Sequence, residues 1–194
     1  KDSYEYNHDL AKMSIRMAEA GADTTPENIE DLYGKMHFEN IESHYPEPTR
    51  DTIGYSIASK NVETNDQKYT VIAVTVRGGG YLSEWADNFN VGTDNVHAGF
   101  NRAAGKIITS VNEYVKVHRF EMDSHIKVWI SGYSRAAAVS NLVAKRLDDG
   151  EVSGISPGNV FAYCFECPRN AIITEINSKY NNIFSVVNPL DFVP

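Results

Sequence analysis

The sequence predicts an α/β chain, with a mostly parallel central sheet flanked by helices and a helical N-terminal segment. Three observations predict it. From Tyr69 onward, apolar and β-branched runs alternate with runs of helical period, the pattern of strands joined by crossover helices. Over the first ~50 residues the apolar positions recur at helical spacing. A Gly/Ser cluster, Gly132-Tyr133-Ser134, stands where an apolar run gives way to an Ala-rich one.

The elements follow in order. Leu10, Met13, Ser14, Met17 and Ala18 form a mostly apolar stripe, so Asn7 to Gly21 reads as a helix stopped by glycine. Thr25-Pro26-Glu27 opens a second helix, with Thr25 as N-cap and Pro26 at the first helical position. Ile29, Leu32, Tyr33 and Met36 share its inward face. Thr52 to Ser59 and Tyr69 to Val76 read as strands, with polar Lys60 to Lys68 as the hairpin loop between them. Phe100 to His118 is a long amphipathic helix. Ile126 to Ser131 is a strand, and Arg135 to Leu147 a helix ending at Asp148-Asp149-Gly150. Asn159 to Phe165 and Ile183 to Asn188 are further strands.

No linker or repeat interrupts this order, so residues 1–194 are expected to form one domain. With 42% hydrophobic and 23% charged residues, the chain can bury a core and is not of disordered composition. A formal net charge of −8 argues against a nucleic-acid partner or an anionic membrane surface, but not against neutral lipids or small esters. No apolar run reaches the roughly 18 residues of a membrane span. The chain begins at Lys1 rather than Met, and a secreted protein with its leader removed is the favoured reading over a cytoplasmic one. Cys164 and Cys167, three apart in a strand-like run, are expected to point to opposite faces as buried thiols, neither bridged nor metal-bound.

Gly132-x-Ser134-x-Ala136 fits a nucleophile elbow with alanine in place of the last glycine. Such an elbow needs a sharp strand-to-helix turn that lifts the serine above the sheet. Small residues two before and two after the serine let strand and helix approach. The competing reading makes Ser134 only the cap of the Ala-rich helix.

Five segments, in order from Tyr69 to the last residue, resemble the class 3 lipases, α/β-hydrolases typified by fungal triacylglycerol lipases. They are Val74-Thr75-Val76-Arg77-Gly78-Gly79, Glu84-Trp85-Ala86-Asp87-Asn88-Phe89, Val96-His97-Ala98-Gly99-Phe100, the elbow from Val128 to Ala138, and Asn188-Pro189-Leu190-Asp191-Phe192-Val193-Pro194. The Ser-Arg-Ala-Ala-Ala elbow and the helical N-terminus resemble an uncharacterised bacterial branch of that family more than its fungal enzymes. The resemblance implies an α/β-hydrolase fold and a serine ester hydrolase that forms an acyl-enzyme at Ser134, with Asp191 as triad acid. The backbone amides of Arg135 and Gly79 would form the oxyanion hole. The family has Ser or Thr at the second of these positions, and Gly79 cannot supply a hydroxyl. Losing one such donor typically costs about 10²–10³ in rate. Gly78-Gly79-Gly80 can also be read as a flexible turn. Phosphate cradling lacks the Gly-Lys-Ser/Thr ending it needs.

The fold's chain order, Ser, Asp, His, leaves the base unassigned, since no histidine follows Ser134. His97 matches the family's Val-His-x-Gly-Phe, where it looks structural. His118 and His125 flank a strand start and read as solvated; His8, His37 and His44 read as surface residues. Lys127, on a strand, and Lys145, on a solvent-facing helix position, are poorly placed for a base. The favoured expectation is that the histidine lies beyond Pro194 and that these 194 residues alone turn over esters poorly. The alternatives are a non-catalytic binding or structural module, or an earlier histidine acting as substitute. No metal is implied, since there is no His-x₃-His or carboxylate cluster at ligand spacing; no cofactor or protein partner is implied either, only a small ester or acylglycerol substrate. Trp85 and Phe89, within Tyr81 to Asn90, are candidates to border the site or to fill the core.

Overall fold

A computed structural model describes residues 2–47, 52–64, 67–78, 97–120, 125–168, 170 and 178–190. The elements are α1 (His8–Ala20), α2 (Glu27–Lys35), β1 (Glu39–His44), β2 (Tyr55–Glu63), β3 (Lys68–Val76), α3 (Ala98–Val117), β4 (Ile126–Tyr133), α4 (Arg135–Asp148), β5 (Val160–Phe165) and β6 (Ile183–Val186). One six-stranded sheet runs β1-β2-β3-β4-β5-β6. β1, β2 and β3 pair antiparallel; β3 through β6 pair parallel, with α3 and α4 as crossovers. The expectation of a largely parallel sheet therefore holds for one side of it, and the whole is a mixed sheet flanked by helices.

Side-chain alternation divides the core in two. Ile72, Val74, Val128, Ile130, Val160 and Ala162 face α3 and α4, meeting Ile107, Val111, Val139 and Val143. Ala73, Trp129, Phe161, Tyr163 and Phe165 face α1 and α2, meeting Met17, Ile29 and Tyr33. Ser14, the polar member of the α1 stripe, accepts a hydrogen bond from Trp129 Nε1 at 2.8 Å and donates to the Leu10 carbonyl at 2.7 Å. Its hydroxyl is thus satisfied in a dry layer, which is why a serine sits on an apolar face.

Several boundaries differ from the sequence reading. The N-cap of α2 is Pro26, and Thr25 instead donates its hydroxyl to Glu27 at 2.8 Å. Lys60 to Lys68 is not one loop. β2 continues to Glu63, opposite Lys68, and Thr64 N–H closes the hairpin on the Gln67 carbonyl at 2.9 Å. Polar residues extend these strands because their outer ends are half exposed while the backbone ladder remains complete. β1 was not expected. Its sequence, Glu-Asn-Ile-Glu-Ser-His, carries a single large apolar residue, and it forms by pairing along the edge of β2. Charged Glu39 and Glu42 suit an edge, where they discourage further pairing. His44 ends this strand rather than lying in a loop. Cys164 lies in β5 and Cys167 beyond its end, so strand alternation does not relate the two. Both thiols are free. Burial pushes each upward, Cys167 to about 12.

Among the described residues, no helix is long and apolar enough to cross a membrane.

Candidate active site

β4 runs through Gly132 to Tyr133, and α4 begins at Arg135, leaving one residue to make the turn. That residue is Ser134, with φ 56° and ψ −125°. A non-glycine residue adopts this left-handed conformation at a cost of about 1–3 kcal/mol, so the surroundings must impose it. They do so from both sides. Ser134 N–H donates to the Phe165 carbonyl at the end of β5, 2.9 Å away, and Ala137 N–H donates to the Ser134 carbonyl at 2.8 Å. Gly132 is required by the close approach that results. A Cβ there would lie 2.5 Å from the Ala136 carbonyl oxygen and 2.7 Å from Ser140 Oγ. Ala136 itself is fully buried. The small residues two before and two after the serine thus do what the elbow reading expects of them.

The Ser134 hydroxyl makes no capping bond to α4, although Ser134 occupies the N-cap position. The capping reading of this serine therefore fails. The side chain is half-buried, and it stands beside the first amides of a 14-residue helix. Such a helix end favours developing negative charge. The Arg135 guanidinium turns away from this edge into the core and donates to the Thr52 carbonyl at 3.3 Å.

Parallel pairing of β3 through β6 brings the carboxyl ends of these strands to one edge of the sheet, where ligands collect in open α/β sheets. Gly78, just past β3, packs against the elbow: a Cβ added to it would lie 3.1 Å from the Tyr133 carbonyl oxygen. Val187 to Leu190 leave β6 at the same edge, with Asn188 N–H donating to Glu166 Oε1 at 2.8 Å. Gly79, Gly80, the Tyr81 to Asn90 segment with Trp85 and Phe89, and Asp191 lie outside the described residues.

The histidines have other occupations. His97 is buried and caps α3, with Nδ1 accepting from Phe100 N–H at 3.3 Å and its ring stacked on Phe100 at 3.9 Å. His118 is half-buried rather than solvated, with Nε2 3.0 Å from Glu42 and its ring stacked on Phe120. His125 is likewise half-buried, edge-on to Tyr69. It precedes β4, whose eight residues put it roughly 25 Å from Ser134. His44 ends β1, three strands from β4, about 14 Å across the sheet. His8 and His37 are exposed, as expected. Lys127 Nζ lies over the Tyr69 and Phe161 rings, and Lys145 is paired with Asp149 at 2.6 Å.

Glu166 escaped the sequence reading. It adopts φ 48° directly after β5, its side chain holds the segment that leaves β6, and it lies one residue from the carbonyl that fixes Ser134. Its only sequence signal is a charge placed immediately after a six-residue apolar strand.

A mixed sheet whose β3 to β6 run parallel, with a strained serine between strand and helix, is the architecture of the α/β-hydrolase class. The profile of the family described as Lipase (class 3) matches residues 64–194, and the chain belongs to this family. It is accordingly a carboxylic ester hydrolase by family. No curated protein matches the chain. Among solved structures, a fungal lipase from a lipase–inhibitor complex superposes with a TM-score of 0.65 at 19% identity, over 98% of this chain and 75% of the other. Rhizomucor miehei lipase with its propeptide gives 0.61 at 19% identity, over 98% and 62%. The lipase of Rhizopus microsporus var. chinensis gives 0.59 at 17%, over 97% and 69%. At these identities the likeness is one of fold.

Proposed function

We propose that the protein hydrolyses carboxylic esters of lipid type through an acyl-enzyme at Ser134. The observation that carries this reading is the strained backbone of Ser134 at the β4–α4 turn, with a hydroxyl that does not cap its helix. Asp191 is the triad acid in this reading. It is the next residue in the sequence after Val187–Leu190, the segment that leaves β6 at the end of the sheet that also carries Ser134. The fold's chain order places the base after the acid. The Ser134 hydroxyl attacks the ester carbonyl as the imidazole takes its proton. Asp191 holds the imidazole's tautomer, and the proton passes to the departing alcohol. The tetrahedral oxyanion is received by the amides of Arg135, at the start of α4, and of Gly79, next to the Gly78 that packs on the elbow. Water, activated by the same base, releases the acid. Residues 1–194 act as one domain in this account.

The test is fluorophosphonate labelling of the full-length natural protein, mapped by peptide mass spectrometry. Ser134 is expected to carry the label, and Ser134→Ala to abolish both labelling and hydrolysis of a short p-nitrophenyl ester. A folded protein that takes no label at Ser134 is instead a lipase-like binding module.

A further inference from the structure

One acidic side chain at the site edge has no part in the reaction just described. Glu166 has φ 48°, a backbone region that favours glycine and that few other residues occupy. Its N–H donates to the Val186 carbonyl at 2.9 Å, and its Oε1 accepts from Asn188 N–H at 2.8 Å. Asn188 Oδ1 in turn accepts from Leu190 N–H at 3.0 Å. On its other side, the Phe165 carbonyl accepts the N–H of Ser134. Glu166 Oε2 is buried and has no hydrogen-bond partner among the described residues. A strained backbone and a desolvated carboxylate oxygen are both unfavourable, and such features gather at functional sites.

Among the described residues, the segment after β6 is held by hydrogen bonds more than by packing: Val187 is 48% and Leu190 90% exposed, while Glu166 accepts from the Asn188 amide and Asn188 from the Leu190 amide.

We infer that Glu166 is a positioning residue, whose carboxylate clamps the Asn188–Leu190 turn to the end of β5 that also holds the Ser134 amide. This rests on the assignment of Ser134 and Asp191 above. A hydrogen-bond path thus runs from Ser134 N–H through Phe165, Glu166 and Asn188 to Leu190, the residue that precedes Asp191 in the sequence.

The test compares Glu166→Gly and Glu166→Gln in the full-length protein, with Asp191→Asn alongside, reading kcat and KM on a p-nitrophenyl ester together with Tm. Glycine suits φ 48° and so removes the clamp without straining the fold. Glutamine keeps an acceptor oxygen for Asn188. Misplacing a catalytic group by about an ångström costs on the order of 10²-fold. The expected result is a kcat reduced roughly 10- to 100-fold in Glu166→Gly, with KM and Tm near the parent's, and near-parent kcat in Glu166→Gln. The inference is overturned alone if Asp191→Asn is inactive while Glu166→Gly keeps the parent's kcat, or loses activity only in step with Tm. It is also overturned if Glu166→Gln is as impaired as Glu166→Gly, since charge rather than clamping would then matter. A fully active Asp191→Asn overturns the assignment of the acid and this inference together.

Discussion

Ser134 carries its signature in the backbone rather than in its side-chain contacts. Its φ of 56° persists because β5 holds its N–H and α4 holds its carbonyl. Gly132 makes that geometry possible, and its replacement is the sharpest test of it. A methyl group there meets the Ala136 carbonyl at 2.5 Å, a backbone contact that cannot swing aside. Gly132→Ala is expected to destabilise by about 2–3 kcal/mol and to slow fluorophosphonate labelling of Ser134 more than about tenfold, since α4 must move away from β4. Unchanged urea midpoint and labelling rate would show that the elbow is not as tightly packed as described. The residue motif was legible because Gly-x-Ser-x-Ala stood between an apolar and an Ala-rich run. Glu166 was not, because its meaning comes from Asn188, 22 positions away in the chain.

At the scale of elements, α3 shows how a histidine can resemble a catalytic group and serve a helix. His97 Nδ1 receives the Phe100 amide, one of the donors that a helix start leaves without an internal partner. His97→Ala should therefore cost about 1–2 kcal/mol from the lost cap and ring stack. His97→Asn should recover the cap portion. Labelling of Ser134 in folded His97→Ala is expected to proceed at the parent rate, measured where circular dichroism shows native helix content. Abolished labelling in that folded variant would make His97 part of the chemistry. The helices were readable because their apolar stripes span several turns, as in α3 with Phe100, Ala104, Ile107, Val111 and Val115 inward. β1 was not readable, since a short polar edge strand takes its structure from the strand it pairs with.

At the scale of the whole molecule, a polar cluster at the end of α4 remote from Ser134 joins segments distant in the chain. Asp149, at the end of α4, accepts from Lys145 and Lys179, each at 2.6 Å, and from Tyr180 at 2.7 Å. Next to it, Asp148 accepts from Asn182 at 2.9 Å, and Asn182 also donates to the Val160 carbonyl at 2.9 Å. Together these tie the segment before β6 to α4 and β5. Burial opposes the charge on Asp149, but the hydrogen bonds from Lys145, Lys179 and Tyr180 prevail and hold its carboxyl well below the ordinary 3.8. A depressed carboxyl stabilises the fold above its ordinary pKa, and that contribution is lost as pH falls toward the folded-state value. Asp149→Asn is thus expected to lower Tm at pH 7, with the gap from the parent closing as the pH is taken below about 4. A pH-independent gap between pH 7 and pH 3 would contradict the ionic account. For Asp148 burial dominates and raises the carboxyl, so its own titration acts in the opposite sense.

The sequence by itself determined the elements with strong periodicity, the order of strand and helix after Tyr69, and the identity of the elbow serine. Each of these depends on local spacing, which a chain displays before it folds. Only the tertiary structure decided that the sheet is mixed, with β1 on its edge, and that His97 caps and His118 pairs. It also decided that Glu166 meets the turn beyond β6. These depend on which distant segments touch, and a linear pattern does not encode such contacts at any one position.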